Sequence, residues 1–124
     1  MWDDGALLAG AREGKLLLRT CRACERVCHP PLPMCPHCQS LDWQQRPASG
    51  RARLHSWLVS IRPDQQGDAP RVVIVVDLEE GVRLVSNLVD APVSAPHEGM
   101  ALALCFRTEG DMILPQFRPA EELP

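Results

Sequence analysis

With 124 residues and a mass of 13.7 kDa, the chain has room for one ordinary domain or for a small metal module joined to a compact sheet, which excludes a large enzyme core. A hydrophobic fraction of 45% with 12 Pro and 8 Gly belongs to a chain that folds. The net charge of −3 and pI of 5.8 argue against general nucleic-acid affinity, which needs many Lys and Arg to displace counterions.

The start, Met1-Trp2-Asp3-Asp4, is acidic where a secretory signal is basic. No apolar run approaches the ~20 residues that span a bilayer, so a cytoplasmic chain without a membrane partner is expected. From Asp3 to Glu13 a short helix is predicted, with Asp3 or Asp4 as N-cap, Leu7, Leu8 and Ala11 on one stripe, and Gly14 as the stop. Gly10 weakens it by roughly 1 kcal/mol relative to Ala. Lys15 to Thr20 reads as a strand, and His29-Pro30-Pro31-Leu32-Pro33 as a rigid extended spacer, because proline fixes φ and lacks a donor. Leu41 to Arg46 reads as a strand.

After Pro47-Ala48-Ser49-Gly50 the pattern becomes strands separated by turns. In Arg51 to Ile61 the apolar phase switches from Ala52 and Leu54 to Trp57, Val59 and Ile61, which predicts a bulge or bend letting one strand serve two sides of a small barrel. Arg62 to Pro70 is a polar loop. Val72 to Leu78, β-branched throughout except at Asp77 and Leu78, is predicted to be a central strand buried on both faces. Glu79-Glu80-Gly81 turns into a strand from Val82 to Val89, and the proline-bearing connection Asp90 to Gly99 follows. Ala101 to Arg107 places Leu102, Leu104 and Phe106 on one face, with Cys105 as a small packed residue on the other. Glu109-Gly110-Asp111 turns into Met112 to Phe117, where Pro115 marks an edge or a bulge. Five strands with a long, bent first one fit a Greek-key barrel of the OB type, an open meander being the alternative.

Cys21, Cys24, Cys35 and Cys38 form two C-x-x-C pairs separated by ten residues. Each such turn sets two thiolates about 3.5 to 4 Å apart, so two turns facing each other complete the tetrahedral shell of a structural zinc. Rubredoxin-like iron uses the same four thiolates, and two disulfides or a metal-free knuckle are the alternatives. Knuckles of this kind favour Gly after the second cysteine, where φ is positive; Glu25 and Gln39 stand there instead, each adding about 1 kcal/mol of strain. Cys28, Cys105, His29 and His37 are subsidiary ligand candidates, and Cys28 reads as a partly exposed spare thiol.

No nucleophile elbow or phosphate-binding glycine loop is present, and His29, His37, His55 and His97 lie in unrelated contexts. His97-Glu98 is the best acid/base pair in the sequence, and no catalytic residue is assigned. Arg51, Arg53, Arg62, Arg71 and Arg83 fall in or beside the barrel strands and are candidates for an anion patch, for nucleic acid or for the phosphates of coenzyme A. Stacking of single-stranded nucleic acid calls for aromatic side chains, and here there is no Tyr, only Trp2, Trp43, Trp57, Phe106 and Phe117.

The chain resembles the family known as domain of unknown function 35. The resemblance rests on Gly10 to Gly14 (GAREG), Cys21 to Cys24 (CRAC), His29 to Pro31 (HPP), Cys35 to Cys38 (CPHC), Ser40 to Trp43 (SLDW), Ser49-Gly50, Val75 to Leu88, Glu98 to Met100 (EGM) and Leu114 to Pro119 (LPQFRP). It runs from about residue 5 to residue 119, departing at Glu25, Gln39 and Leu32, where the family tends to carry Gly, Gly and Arg. It implies a mainly β protein: a helix at 1–14, a rubredoxin-like zinc ribbon at 15–47, an acyl-CoA-associated OB-fold barrel at 48–119 and a tail at 120–124. It further implies a non-catalytic accessory subunit of a thiolase-like enzyme, with structural zinc and acyl-CoA as a shared ligand. The reaction served would be acyl transfer or retro-aldol cleavage of CoA thioesters, steroid side chains among them. Two other readings stand beside it: a ribbon-plus-barrel module for single-stranded nucleic acid, and a self-sufficient thioester enzyme using Cys28 or His97.

Overall fold

The computed structural model describes residues 5–29, 32–60 and 70–120. The expected caps Asp3 and Asp4, the stripe side chains Leu7 and Leu8, the prolines Pro30 and Pro31, and Ile61 and Arg62 lie outside what it describes.

Helix α1 (Gly5–Arg12) ends as the glycine predicts. Gly14 takes φ 74, its amide donates to the Ala11 carbonyl at 3.0 Å, and the Lys15 amide donates to the Gly10 carbonyl at 2.8 Å. Those two bonds are the Schellman closure. Gly10 has a packing reason that propensity hides: a Cβ there would lie 2.8 Å from both the Leu17 Cγ and the Lys15 carbonyl oxygen. The glycine lets the helix end press against the first strand.

Strands β1 (Leu17–Cys21), β2 (Val27–Cys28) and β3 (Trp43–Pro47) form an antiparallel sheet in the order β2-β1-β3. β1 and β3 begin and end one or two residues later than the sequence pattern predicts, and the two-residue β2 is too short to show a period. Strands β4 (Arg51–Ser60), β5 (Arg71–Leu78), β6 (Arg83–Leu88), β7 (Ala101–Glu109) and β8 (Met112–Pro119) close into a barrel in the order β4-β5-β6-β8-β7. This is the OB arrangement and not the meander. All pairings are antiparallel except β6 with β8, which meet in parallel at Leu88 and Phe117. That limited contact explains Pro115 within a closed barrel: β8 bonds along its length to β7, while on the β6 side Pro115 offers only its carbonyl, which accepts from Ser86 Oγ at 2.9 Å.

The predicted bulge in β4 is present. Leu54 pairs with Val76 and Ser56 with Val75, leaving His55 as the extra residue. The apolar phase beyond it does not enter the core: Trp57 and Val59 are 41% and 42% exposed, because β7 pairs with β4 only from Arg51 to Arg53. The two-sided burial expected of β5 is also corrected. Val72, Ile74, Val76 and Leu78 are buried, whereas Val73, Val75 and Asp77 on the outer face are only half-covered.

One core joins both modules. Leu16 and Leu18 from the ribbon pack with Leu54, Ile74, Val76, Leu102 and Phe117 of the barrel, and the Ala48 amide donates to the Leu16 carbonyl at 2.7 Å. Among the described residues no helix is long and apolar enough to cross a membrane.

Candidate functional site

The two cysteine turns are copies of one another. Cys21 and Cys35 each accept an amide at the carbonyl, from Glu25 and Gln39, both at 2.8 Å. Their own amides donate five residues ahead, to Arg26 at 2.8 Å and Ser40 at 2.9 Å. This closure forces φ to 64 at Glu25 and 67 at Gln39, the strained positions the sequence singles out. Glu25 has a compensating contact, its carboxylate lying 3.3 Å from Arg46 Nη2 on β3. Across the sheet the Arg19 guanidinium lies 4.5 Å above the Trp43 ring, and Trp43 Nε1 donates to the Pro33 carbonyl at 3.1 Å. These contacts tie the proline spacer and the second knuckle to β1 and β3.

All four Sγ atoms lie within 4.8 Å of one another. Cys21 and Cys38 are 3.5 Å apart and Cys24 and Cys35 are 3.6 Å apart, well beyond a sulfur–sulfur bond, and none of the six cysteines is in a disulfide. Four sulfurs about 2.3 Å from a central ion stand roughly 3.8 Å from each other, so the cluster has the size of a tetrahedral zinc shell. Its electrostatics ask for a cation. Amide donors, led by that of Cys38, pull the Cys35 thiol down to about 6. Cys38 also accepts a favourable amide bond, from Ser40, yet the surrounding thiols, Cys21 foremost, and desolvation push it up to about 12. Cys21 is likewise lowered, chiefly by the Cys24 amide, and Cys24 is raised despite the Arg26 amide. Amide donation favours the thiolate form at the first cysteine of each pair, while the neighbouring thiols and desolvation favour the neutral form at the second.

The subsidiary candidates lie outside this cluster. Cys28 is half-buried on β2 opposite Arg19, and His37 is exposed on the second turn. His97, in the β6–β7 connection, is exposed with Nδ1 3.3 Å from the Ala95 carbonyl, so it and Cys28 belong to different modules. Cys105 is half-buried and pairs with Gln116.

Of the arginines, the barrel brings Arg51 and Arg53 together. Both line a cleft of about 540 Å³ across the β4–β7 seam, with Asp77, Glu79, Ala101 and Ala120. A neighbouring hollow of about 300 Å³ adds His97, Gly99 and Met100 and shares Arg53. Arg51 Nε lies 3.5 Å from Glu79, Arg53 donates to the Gly99 carbonyl at 3.2 Å, and Arg83 meets Asp77 at 2.8 Å one strand away. Arg71 stands at the far end of β5 opposite Ser60, outside the lining of both hollows. The acidic partners Asp77 and Glu79 and the bulged His55, 3.5 Å from Asp77, were not read as site residues. The pairing of β4 with β5, which sets Arg53 opposite Asp77, and of β4 with β7 brings them to this seam, and neither register is local.

Comparison with known proteins adds the following. A model of the ChsH2 rubredoxin-like zinc ribbon domain matches residues 8–44, and one of the ChsH2 C-terminal OB-fold domain matches residues 45–107. A protein of Thermomonospora curvata named probable enoyl-CoA hydratase alpha subunit is 37% identical over 95% of this chain, which spans only 38% of that protein's length. A DUF35 domain-containing scaffold protein of Methanothermobacter thermautotrophicus is 36% identical over 70% of this chain and 68% of its own. Among solved structures, a chain of an Ltp2-ChsH2(DUF35) aldolase superposes with a TM-score of 0.87 at 36% identity, covering 94% of both chains.

Proposed function

Because the chain belongs to the DUF35 family, as a ChsH2-type member with a zinc ribbon followed by an OB-fold, we propose that it is a non-catalytic accessory subunit of an acyl-CoA-handling enzyme. The partner in this reading is a thiolase-like, lipid-transfer-protein-like subunit, and the reaction is retro-aldol cleavage or acyl transfer on CoA thioesters, steroid side chains included. The observation that carries it is the match over 94% of both chains with the DUF35 chain of the Ltp2-ChsH2 aldolase.

Cys21, Cys24, Cys35 and Cys38 hold a structural zinc in this proposal. Four cysteine ligands fill a tetrahedral shell and leave no position for substrate, so the metal stabilises the ribbon and takes no part in the reaction. Arg51 and Arg53, lining one cleft, are the residues assigned to the CoA phosphates, and the partner completes that site. The segment borders follow the sequence reading, with the ribbon at 15–47 and the barrel at 48–119.

Coexpression with the Ltp2-type enzyme subunit of the same organism tests the proposal. The two chains are expected to elute together, and the enzyme to gain solubility and turnover from the association. Separate elution, with the enzyme's solubility and activity unchanged, would sink it.

A further inference from the structure

The β5 sequence Val72-Val73-Ile74-Val75-Val76 is apolar in both phases, the composition of a strand covered on both sides. The barrel covers one phase. The other, Val73 and Val75, faces outward, and the strand register continues it over three strands. Ser56, Val75 and Val85 form one row, and Leu58, Val73 and Asn87 the next. Leu58 is 57% exposed and Val85 67%. A sheet with one face on the core ordinarily turns polar residues to water, so four apolar side chains in adjacent rows lack the layer their composition calls for.

The rim of this face is charged. Arg53, Asp77 and Arg83 form the row at one end, with His55 beside Asp77, and Arg71 opposite Ser60 stands at the other. Within this row Arg83 already pairs with Asp77 at 2.8 Å. An apolar centre inside a polar rim is the anatomy of a protein interface. We propose that the outer face of β4, β5 and β6 is where this chain docks on its enzyme partner, against a surface that is apolar at its centre and polar around it. The proposal rests on the accessory-subunit reading above. The match with a chain of an Ltp2-ChsH2(DUF35) aldolase favours an enzyme subunit over a second copy as the occupant. Arg53 and Asp77 belong both to the rim and to the cleft at the β4–β7 seam, so a partner seated here forms one wall of that cleft.

The test uses the full chain and the Ltp2-type subunit of the same organism, with Leu58→Asp and Val85→Asp in the face, Arg83→Glu at its rim, and Leu41→Asp on the exposed ribbon surface as control. Affinity is read by calorimetry, and folding of each variant by circular dichroism. Each face variant is expected to keep its fold and lose about 30-fold or more in affinity, as central interface positions do. Arg83→Glu, at the rim, is expected to lose less than the face variants, and Leu41→Asp to bind as the parent does. Unchanged binding by all variants would overturn the docking face while leaving the accessory role standing, whereas no binding by the parent chain would remove both. A parent chain that sediments as a dimer, dissociated by Val85→Asp, would make a second copy the occupant and overturn the assignment.

Discussion

Gln39 and Glu25 occupy the same position in twin turns, with φ of 67 and 64, and differ in what holds them there. Glu25 reaches Arg46, an exposed pair worth at most about 1 kcal/mol. A non-glycine residue in this region costs on the order of 1 kcal/mol, and a β-branched one more. Gln39→Gly is therefore expected to hold zinc against a higher chelator concentration, the strain relieved slightly exceeding the added freedom of the unfolded chain. Gln39→Val should release zinc at a lower one, and chelator competition with a colorimetric indicator reads both. The same titration carries a pH dependence with a definite sign. Folding lowers the Cys35 thiol from 9.0 to about 6, so the thiolate's contribution is complete above pH 9, shrinks as pH falls, and is gone below about 6. Zinc should come off at progressively lower chelator concentration as the buffer is taken from pH 8 toward 5.5. Equal midpoints across that range would contradict the assignment of Cys35 as the thiolate poised first.

At the scale of elements, Gly10 shows how a local rule can point the wrong way. Helix propensity favours Gly10→Ala by about 1 kcal/mol, yet the new methyl would meet a backbone oxygen and the Leu17 side chain at 2.8 Å. Overpacking of this kind costs about 1 to 3 kcal/mol, so the variant is expected to melt a few degrees lower in a thermal scan; a rise in Tm would mean that the helix end can move off β1. The same distinction between local and distant causes separates what was legible in the sequence from what was not. The knuckles, the Gly14 stop, the β4 bulge and the alternation in β7 depend on neighbours within a few residues and could be read. The two-residue β2 had too little length to show a period. The outward faces of β5 and the far half of β4 were misassigned, because apolar composition says that a face is to be covered without saying whether this chain covers it. Arg51 and Arg53 share a face of β4 by simple alternation, whereas the cleft they line follows from the pairing of Arg51 with the distant Ala103, which no local pattern encodes.

For the whole molecule, the decisive feature is that ribbon and barrel share a core. Leu16 and Leu18 lead directly into Cys21, and both are almost fully buried against barrel residues, with Ala48 bonded back to Leu16 where the chain passes between modules. If the four thiolates hold zinc, part of the metal's binding free energy is folding free energy of β1, because an unfolded ribbon offers no preformed shell. Losing β1 would strip Leu16 and Leu18 from the barrel's packing and expose apolar surface around Leu54 and Leu102. Removing the metal is therefore expected to lower the stability of the barrel as well as that of the ribbon, with one cooperative transition shifted down as a unit. Leu16→Ala offers the independent check. It deletes a side chain that is 1% exposed at the junction and should cost about 2 to 5 kcal/mol, lowering the chelator concentration that releases zinc although it touches no cysteine. A calorimetric scan of the zinc-free chain that keeps the parent's barrel transition, with only a small early step lost, would show two independent modules. A single displaced peak in both the zinc-free chain and Leu16→Ala would show that the ribbon acts as a clasp on the barrel.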